Sequence, residues 1–87
     1  MPHVEIYTKA FCPYCSRAIA LLQARGVVYD EYDITMGGPK RAEMISRADG
    51  RTTVPQVFIG NAHIGGSDDL AEADHSGELE RLLKAVS

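Results

Sequence analysis

Hydrophobic residues occur at two different spacings near the start of the chain, and these spacings predict a β-strand followed by an α-helix. Residues His3–Thr8 (HVEIYT) alternate in part between apolar and polar side chains and include β-branched and aromatic residues, which is typical of a strand. The next apolar residues recur at the i, i+3, i+4, i+7 spacing of one helical face: Cys15, Ala18, Ile19 and Leu22. Pro13 suits the first position of this helix and Gly26 suits its end, so Cys12 is predicted at the N-cap.

The middle of the chain predicts a second strand and a second helix. Residues Val27–Ile34 (VVYDEYDI) are rich in strand-forming side chains, and the strand-helix-strand spacing favours parallel pairing with the first strand. The TMGG segment that follows predicts a turn. Pro39 then begins a helix that Gly50 ends, and its inward-facing residues are Met44, Ile45 and Ala48.

The remaining residues predict a hairpin and a closing helical segment. Val54–Gly60 and Ala62–Gly66 meet at a Gly-Asn pair, which favours a tight turn between antiparallel strands. Ser67 is the predicted N-cap of the next helix, because Asp68 and Asp69 supply acidic side chains to its first turn. A C-terminal amphipathic helix is predicted from the spacing of Leu79, Leu82, Leu83 and Val86.

The order β-α-β-α-β-β-α predicts an α/β fold in which helices flank a four-stranded mixed sheet, with the last helix split in two. A chain of 87 residues can bury one core and no second one, so residues 1–87 are predicted to form a single domain. The composition, 45% hydrophobic and 24% charged, is ordinary for a globular protein and argues against disorder.

The net charge and the N-terminal sequence indicate which partners and which cellular compartment to expect. The formal net charge is −3, whereas proteins that bind nucleic acids or anionic membranes carry clustered Lys and Arg. The N-terminus (MPHVEIYTKA) lacks the pattern of a signal peptide, and no apolar run approaches the ~20 residues of a membrane span. We therefore expect a cytoplasmic, reducing location, and the lack of an exposed apolar stripe predicts a monomer.

The two cysteines in KAFCPYCSRA, Cys12 and Cys15, are compatible with a metal site, a structural disulfide or a reactive dithiol. A zinc site needs about four ligands, but the chain has no second cysteine pair and its histidines are scattered: His3, His63 and His75. A disulfide that spans two residues stabilises a fold little, because its effect grows with loop length. In a reducing compartment a lone close pair is more often catalytic, which favours the dithiol.

The predicted helix gives the two sulfurs unequal roles. At the N-cap, the Cys12 sulfur can accept from the amides of Tyr14 and Cys15, and the helix dipole favours a thiolate there. Lys9 adds a nearby cation. A stabilised thiolate is a good leaving group, so a mixed disulfide on Cys12 is resolved quickly. Cys15, on the inward face of the helix, is the predicted resolving thiol.

Two distant segments supply candidate binding groups. In TTVPQVFIG, Pro55 cannot donate to a sheet ladder, so it is either a turn proline or a cis proline beside the thiols, with the Val54 backbone free to pair with a peptide-like substrate. GGSDD (Gly65–Asp69) is either a simple helix cap or a site for an α-amino acid. In the second case the helix amides hold a carboxylate and Asp68 holds an ammonium.

The three segments CPYC, TTVPQVFIG and HIGGSDDL, in this order and spacing, resemble the glutaredoxin family over roughly His3–Leu83. The resemblance implies a thioredoxin-like fold, a cis Pro55 and glutathione as co-substrate, with no tightly bound cofactor. It implies Cys12 as nucleophile and Cys15 as resolving cysteine, acting on disulfide-containing or glutathionylated proteins. The implied glutathione contacts are Lys9, Tyr14, Thr53, Val54, Pro55, Gly66, Ser67 and Asp68.

Within this implied site Lys9 lies near the glycyl carboxylate, Thr53 and Val54 along the cysteinyl backbone, and GSD (66–68) around the γ-glutamyl end. Asp69 is a further candidate there. Family members often add an Arg or Gln from the second helix, and both Arg41 and Arg47 are candidates because SRADGRTT is longer than the commonest pattern. Some members carry an extra cysteine at the position of Ser67, so regulation through a third thiol is not expected.

Two other functions share this fold. One is a glutathione-ligated [2Fe–2S] cluster carrier formed by two protomers, although family members of that kind tend to carry CGFS and Pro13 disfavours cluster assembly. The other is a redoxin reduced by thioredoxin reductase, which the Gly-Gly-x-Asp-Asp element and Lys9 argue against. The leading prediction is a glutathione-dependent oxidoreductase.

Overall fold

Four strands and four helices follow one another in the predicted order, which confirms the α/β fold class. The computed structural model describes residues 2–84 of the chain. Its elements are β1 Val4–Thr8, α1 Pro13–Ala24, β2 Asp30–Asp33, α2 Pro39–Arg47, β3 Gln56–Ile59, β4 Ala62–Gly65, α3 Ser67–Ser76 and α4 Glu78–Lys84. The left-handed backbone of Gly77, with φ of 87°, separates α3 from α4, so the closing helix is split as expected.

The strand order in the sheet is β2-β1-β3-β4, and this order creates the place where the functional segments meet. β2 runs parallel to β1, whereas β3 is antiparallel to both β1 and β4. Tyr7 near the end of β1 pairs with Gln56 at the start of β3. The loop after β1 and the loop before β3 therefore lie side by side at one edge of the sheet.

Alternate residues of the central strands enter two separate cores, because successive side chains of a strand point to opposite faces. Ile6 and Val57 pack on one face with the buried residues of the first and third helices: Ala18, Leu22, Leu70 and Ala73. Tyr7 and Phe58 pack on the other face with Met44 and Ala48 of α2 and its C-cap. The sheet is thus covered by helices on both faces, and each fully buried apolar side chain contributes roughly 1.5–3 kcal/mol.

The predicted strand boundaries were wrong in part, most of all for the second strand. The second strand was expected over Val27–Ile34, but Val28 is 81% exposed and the Val27 amide donates to the Leu22 carbonyl, so this stretch terminates α1. Strand-forming composition was outweighed there by the hydrogen bonds of the helix end. The other strand boundaries moved inward by one or two residues, and the predicted Val86 lies outside the described residues.

The N-cap of α3 was also misassigned, because Gly66 and not Ser67 occupies it. Ser67 is the first helical residue, and the Gly66 amide donates to Asp69 Oδ2 at 2.9 Å. Asp69, three residues into the motif, supplies the side-chain oxygen of the cap from within the helix.

Candidate active site

Cys12 lies at the N-cap of α1, as predicted, and its sulfur accepts a hydrogen bond from the Cys15 amide at 3.2 Å. Pro13 occupies the first helical turn and has no amide to leave unpaired. The predicted second donor was wrong: among residues 2–84 the Cys15 amide is the backbone donor to this sulfur, and the Tyr14 amide is not. Both cysteines are free thiols. The geometry stabilises negative charge on the Cys12 sulfur through one aimed amide and the helix dipole.

Cys15 has a different environment one turn along the same helix. Its side chain is buried, with 3% of the residue exposed, on the face that packs against the sheet. Burial raises the pKa of the Cys15 thiol to about 12, and the neighbouring Cys12 sulfur adds to the shift, while a hydrogen bond from the Lys9 backbone opposes it. Cys15 is therefore a protonated thiol at neutral pH, which fits the predicted inequality of the two sulfurs.

The loop before β3 brings a backbone segment against the nucleophile. The Val54–Pro55 peptide is cis, which confirms the expectation drawn from the family resemblance. The Val54 carbonyl oxygen lies 4.0 Å from the Cys12 sulfur. Because the register pairs the end of β1 with the start of β3, these two loops are neighbours although 42 residues separate them.

A groove of about 320 Å³ opens beside this loop, between the start of α1 and the start of α3. Seven of the residues predicted to contact glutathione line it: Tyr14, Thr53, Val54, Pro55, Gly66, Ser67 and Asp68. A Cβ atom at Gly66 would lie 3.5 Å from the Pro55 carbonyl oxygen, so the two backbones approach closely here. At Gly65, with φ of 116°, a Cβ would clash with the Asp69 carboxylate. The chain thus brings three distant segments to one cleft.

Arg51 and Asp69 also line the groove, and Arg51 was missed by the sequence analysis. The Arg51 guanidinium lies 3.4 Å from Asp69 Oδ2 across the cleft. A feature of the sequence that could have indicated Arg51 as a groove residue is its position two residues before Thr53, in GRTT. The groove therefore offers one cationic and two acidic side chains beside the helix amides.

The two arginines proposed from α2 do not line this groove. Arg47 bonds Glu5 Oε1 at 3.0 Å and the Tyr7 hydroxyl at 2.9 Å, and its guanidinium stacks 4.1 Å from the Phe58 ring centroid. These contacts hold Arg47 between α2 and the sheet. Arg41 likewise lies outside the groove, since the lining residues of α1, α3 and the β3 loop do not include it.

Lys9 lies on the other side of Cys12, in a second cavity of about 360 Å³ toward β2. Phe11, Cys15 and Glu31 also line this cavity, with Glu31 held by the Thr8 hydroxyl at 2.8 Å. Phe11 adopts a φ of 58° and its side chain is fully exposed next to the nucleophile. Cys12 thus lines the cavity that contains the predicted lysine, and its sulfur lies beside Val54 of the groove.

Neither a metal-binding cluster nor a membrane-spanning helix is found in the described part of the chain. Residues 2–84 contain no group of three or more His, Cys, Asp or Glu side chains placed to hold a metal ion. Over the same residues, no helix has the length and apolar character needed to cross a bilayer.

We predict that alkylation distinguishes the two thiols. At pH 7 iodoacetamide should label Cys12 at least about a hundredfold faster than Cys15, because the thiolate is the reactive form and Cys15 is buried with a raised pKa. Mass spectrometry of peptides from timed samples measures both rates. Cys15 labelling should grow only as the pH rises toward the pKa of its thiol, and equal rates at neutral pH would reject the assignment.

Comparison with known proteins gives consistent matches over nearly the whole chain. The Glutaredoxin family model matches residues 4–64. Glutaredoxin 3 of Escherichia coli strain K12 is 57% identical over 84 residues, covering 97% of this chain and 100% of the relative. A glutaredoxin of Pseudomonas aeruginosa is 49% identical over 85 residues, covering 98% of this chain and 100% of the relative.

Solved structures agree with these matches. The solution structure of glutaredoxin from Brucella melitensis superposes with a TM-score of 0.82 at 49% identity, covering 97% of this chain and 90% of that one. A buckwheat glutaredoxin–glutathione complex superposes with a TM-score of 0.84 at 31% identity, covering 97% and 78%. The neighbours therefore share both the fold and a substantial part of the sequence.

Proposed function

The chain belongs to the glutaredoxin family, whose members are glutathione-dependent thiol-disulfide oxidoreductases, and we propose that Cys12 and Cys15 carry out this reaction with glutathione held in the adjacent groove. The observation that carries the proposal is the contrast between the two sulfurs. The Cys12 sulfur accepts from the Cys15 amide and lies 4.0 Å from the carbonyl oxygen of Val54, which lines the groove, whereas the Cys15 side chain is buried. The nucleophile needs a group that stabilises its thiolate, and the resolving thiol needs to stay protonated until the mixed disulfide has formed.

The first proposed reaction is reduction of a glutathione mixed disulfide and needs only Cys12. Its thiolate attacks the glutathione sulfur, the bond to the substrate sulfur breaks, and the substrate leaves as a thiolate that takes a proton. A second glutathione thiolate then attacks the glutathione sulfur bound to Cys12. Oxidised glutathione leaves and the Cys12 thiolate returns to its hydrogen bond with the Cys15 amide. One glutathione thiol is thus consumed for each mixed disulfide reduced, and the second half of the oxidised glutathione comes from the substrate.

The second proposed reaction is reduction of a protein disulfide and needs both thiols. Cys12 attacks one sulfur of the substrate and forms a mixed disulfide with the protein. Cys15 then loses its proton and attacks the Cys12 sulfur, so the protein leaves as a dithiol and a Cys12–Cys15 disulfide remains. Two glutathione molecules reduce that disulfide in turn. The high pKa of Cys15 keeps it from competing with Cys12 for the first attack.

The groove suits the two ends of glutathione. We assign the γ-glutamyl carboxylate to the Ser67 amide at the start of α3 and its ammonium to the Asp68 carboxylate, while the Gly66 amide is held by Asp69. Thr53 and Val54 follow the cysteinyl backbone along the cis-proline loop, beside Tyr14. We assign to Arg51, and not to Arg41 or Arg47, the electrostatic attraction of a glutathione carboxylate. Lys9, on the other side of Cys12, is then assigned to the glycyl carboxylate.

The same proposal covers compartment and partners. Cyclic reduction by glutathione requires a reducing pool of that thiol, so we assign the protein to the cytoplasm. Its partners there are glutathione and disulfide-containing or glutathionylated proteins, and it acts as a monomer. No tightly bound cofactor enters either reaction, because the electrons come from glutathione itself.

We predict that Asp68→Asn raises the KM for a glutathione–cysteine mixed disulfide by about five- to tenfold, because a hydrogen bond to a charged group is lost. The turnover number at saturation should change less than twofold, since the side chain contacts the substrate away from the reacting sulfurs. Steady-state rates with glutathione and glutathione reductase measure both constants. Glu72→Gln removes an exposed carboxylate from the same helix outside the groove and serves as the matched control. An unchanged KM in Asp68→Asn would place the γ-glutamyl end elsewhere.

A further inference from the structure

A fully buried polar side chain, Gln56, lies directly after the cis-proline loop at the start of β3. Its exposed fraction is 0%. Gln56 Nε2 donates to the Thr53 carbonyl oxygen at 3.1 Å and to Thr53 Oγ1 at 3.2 Å, and Gln56 Oε1 lies 2.6 Å from His63 Nε2. Burying an amide is costly unless its groups are paired, and here both ends of the amide have partners.

The Thr53 carbonyl can only accept a hydrogen bond, so it determines which end of the Gln56 amide faces it, and His63 bonds the other end. Because Gln56 Nε2 donates both of its protons toward Thr53, Gln56 Oε1 is the acceptor and His63 Nε2 must carry the proton between them. The His63 ring stacks on Phe58, with centroids 4.8 Å apart and planes 21° from parallel, which holds the ring on β4. Exchange of the amide oxygen and nitrogen would therefore break the bond to the Thr53 carbonyl and would place an N–H against the protonated His63 Nε2.

This chain of bonds fixes the direction of the peptide between Thr53 and Val54. That peptide is trans and planar, so its carbonyl and its N–H point in opposite directions. With the Thr53 carbonyl held inward by Gln56, the Val54 N–H points outward, and Val54 lines the groove. Among residues 2–84 the Val54 amide donates to no backbone or side-chain acceptor. A donor presented in this way is suited to a backbone carbonyl of a bound peptide.

We infer that Gln56, oriented by His63, is a positioning residue that aims the Val54 N–H at the cysteinyl carbonyl of glutathione. The inference rests on the proposed use of the groove for glutathione and adds the device that prepares its backbone donor. Without Gln56 the Thr53–Val54 peptide is free to rotate. Binding of the tripeptide must then also orient the Val54 N–H, which weakens binding. The reacting sulfurs are not touched by either side chain, so the effect falls on binding.

The test uses Gln56→Met, which keeps an unbranched side chain of similar length but has no amide. We expect the KM for a glutathione–cysteine mixed disulfide to rise about five- to tenfold with the turnover number within twofold, as expected for loss of one oriented hydrogen bond. The rate of Cys12 alkylation by iodoacetamide, which needs no tripeptide contact, should stay within about twofold of the wild-type rate.

A second variant, His63→Phe, keeps an aromatic ring against Phe58 but lacks the proton that orients Gln56. The KM should rise about threefold, because Gln56 Oε1 then loses its partner and the amide is held by Thr53 alone. Gln23→Met is the matched control, since Gln23 bonds the Tyr29 hydroxyl at 3.2 Å on the exposed side of α1. If Gln56→Met does not fold, His63→Phe decides the question alone.

Two results would overturn the inference. One is a KM equal to that of the wild-type protein in the folded variants. The other is a loss of Cys12 alkylation that parallels the loss of turnover at low substrate concentration, because that result indicates general distortion of the site. Failure of the underlying proposal looks different, because the wild-type protein itself would then show no saturation by the glutathione mixed disulfide. The experiment therefore separates the positioning role from the assignment of the groove.

Discussion

Replacing Cys15 with serine should lower the rate of protein disulfide reduction at least about a hundredfold, because an intramolecular thiol is lost and millimolar glutathione must resolve the mixed disulfide instead. The reduction of a glutathione mixed disulfide should stay within a few-fold of the wild-type rate, since both of its steps use the Cys12 sulfur alone. The division follows from the buried position of Cys15 one turn behind the nucleophile.

Both rates are measured with the same stock of Cys15→Ser protein, using a disulfide-bonded protein in one assay and a glutathione–cysteine mixed disulfide in the other. Cys12→Ser provides the reference and should abolish both activities. Ser46→Ala, at an exposed position of α2 that lines neither cavity, should alter neither. Loss of mixed-disulfide reduction in Cys15→Ser, together with intact protein disulfide reduction, would reverse the assigned roles.

The parts of the site that the sequence could predict depend on local geometry. Cys12 at the N-cap follows from Pro13 and the apolar spacing of α1, and the burial of Cys15 follows from its place on that spacing. The meeting of the cis-proline loop with Cys12 required the family resemblance in addition, because 42 residues separate them. Strand pairing, which composition predicts only in outline, brings them together.

The parts that were missed depend on partners distant in the chain. Arg47 was a candidate glutathione contact from the second helix. In the structure, Glu5 and Tyr7 of β1 and the ring of Phe58 hold it against the sheet. Arg51 was overlooked because its partner across the cleft, Asp69, lies 18 residues further along. A charged side chain pairs with whichever opposite charge the fold places beside it. The spacing of residues in the sequence does not identify that partner.

Val27 and Gln56 show two further limits of the pattern. Val27 belongs by composition to a strand, yet its amide caps the end of α1. Gln56 has a polar side chain inside an apolar strand, and alternation alone would place it on the solvent face, whereas its hydrogen bonds to Thr53 and His63 allow complete burial. In both cases a specific hydrogen bond outweighs the average preference of the residue.

The central claim is that the groove beside Cys12 makes glutathione the reductant of this protein. We predict that turnover of one mixed-disulfide substrate is at least about a hundredfold faster with glutathione, glutathione reductase and NADPH than with thioredoxin reductase and NADPH, because the groove offers glutathione hydrogen bonds to charged groups that the other reductant does not form. The Asp68 carboxylate and the Ser67 amide are those groups here.

The most direct measurement is this comparison at equal enzyme and substrate concentrations, followed as NADPH oxidation. Omitting glutathione from the first mixture and using Cys12→Ser protein in both give the backgrounds. The account predicts rapid, saturable turnover in the glutathione system and background rates in the other. Equal or faster turnover with thioredoxin reductase would contradict it.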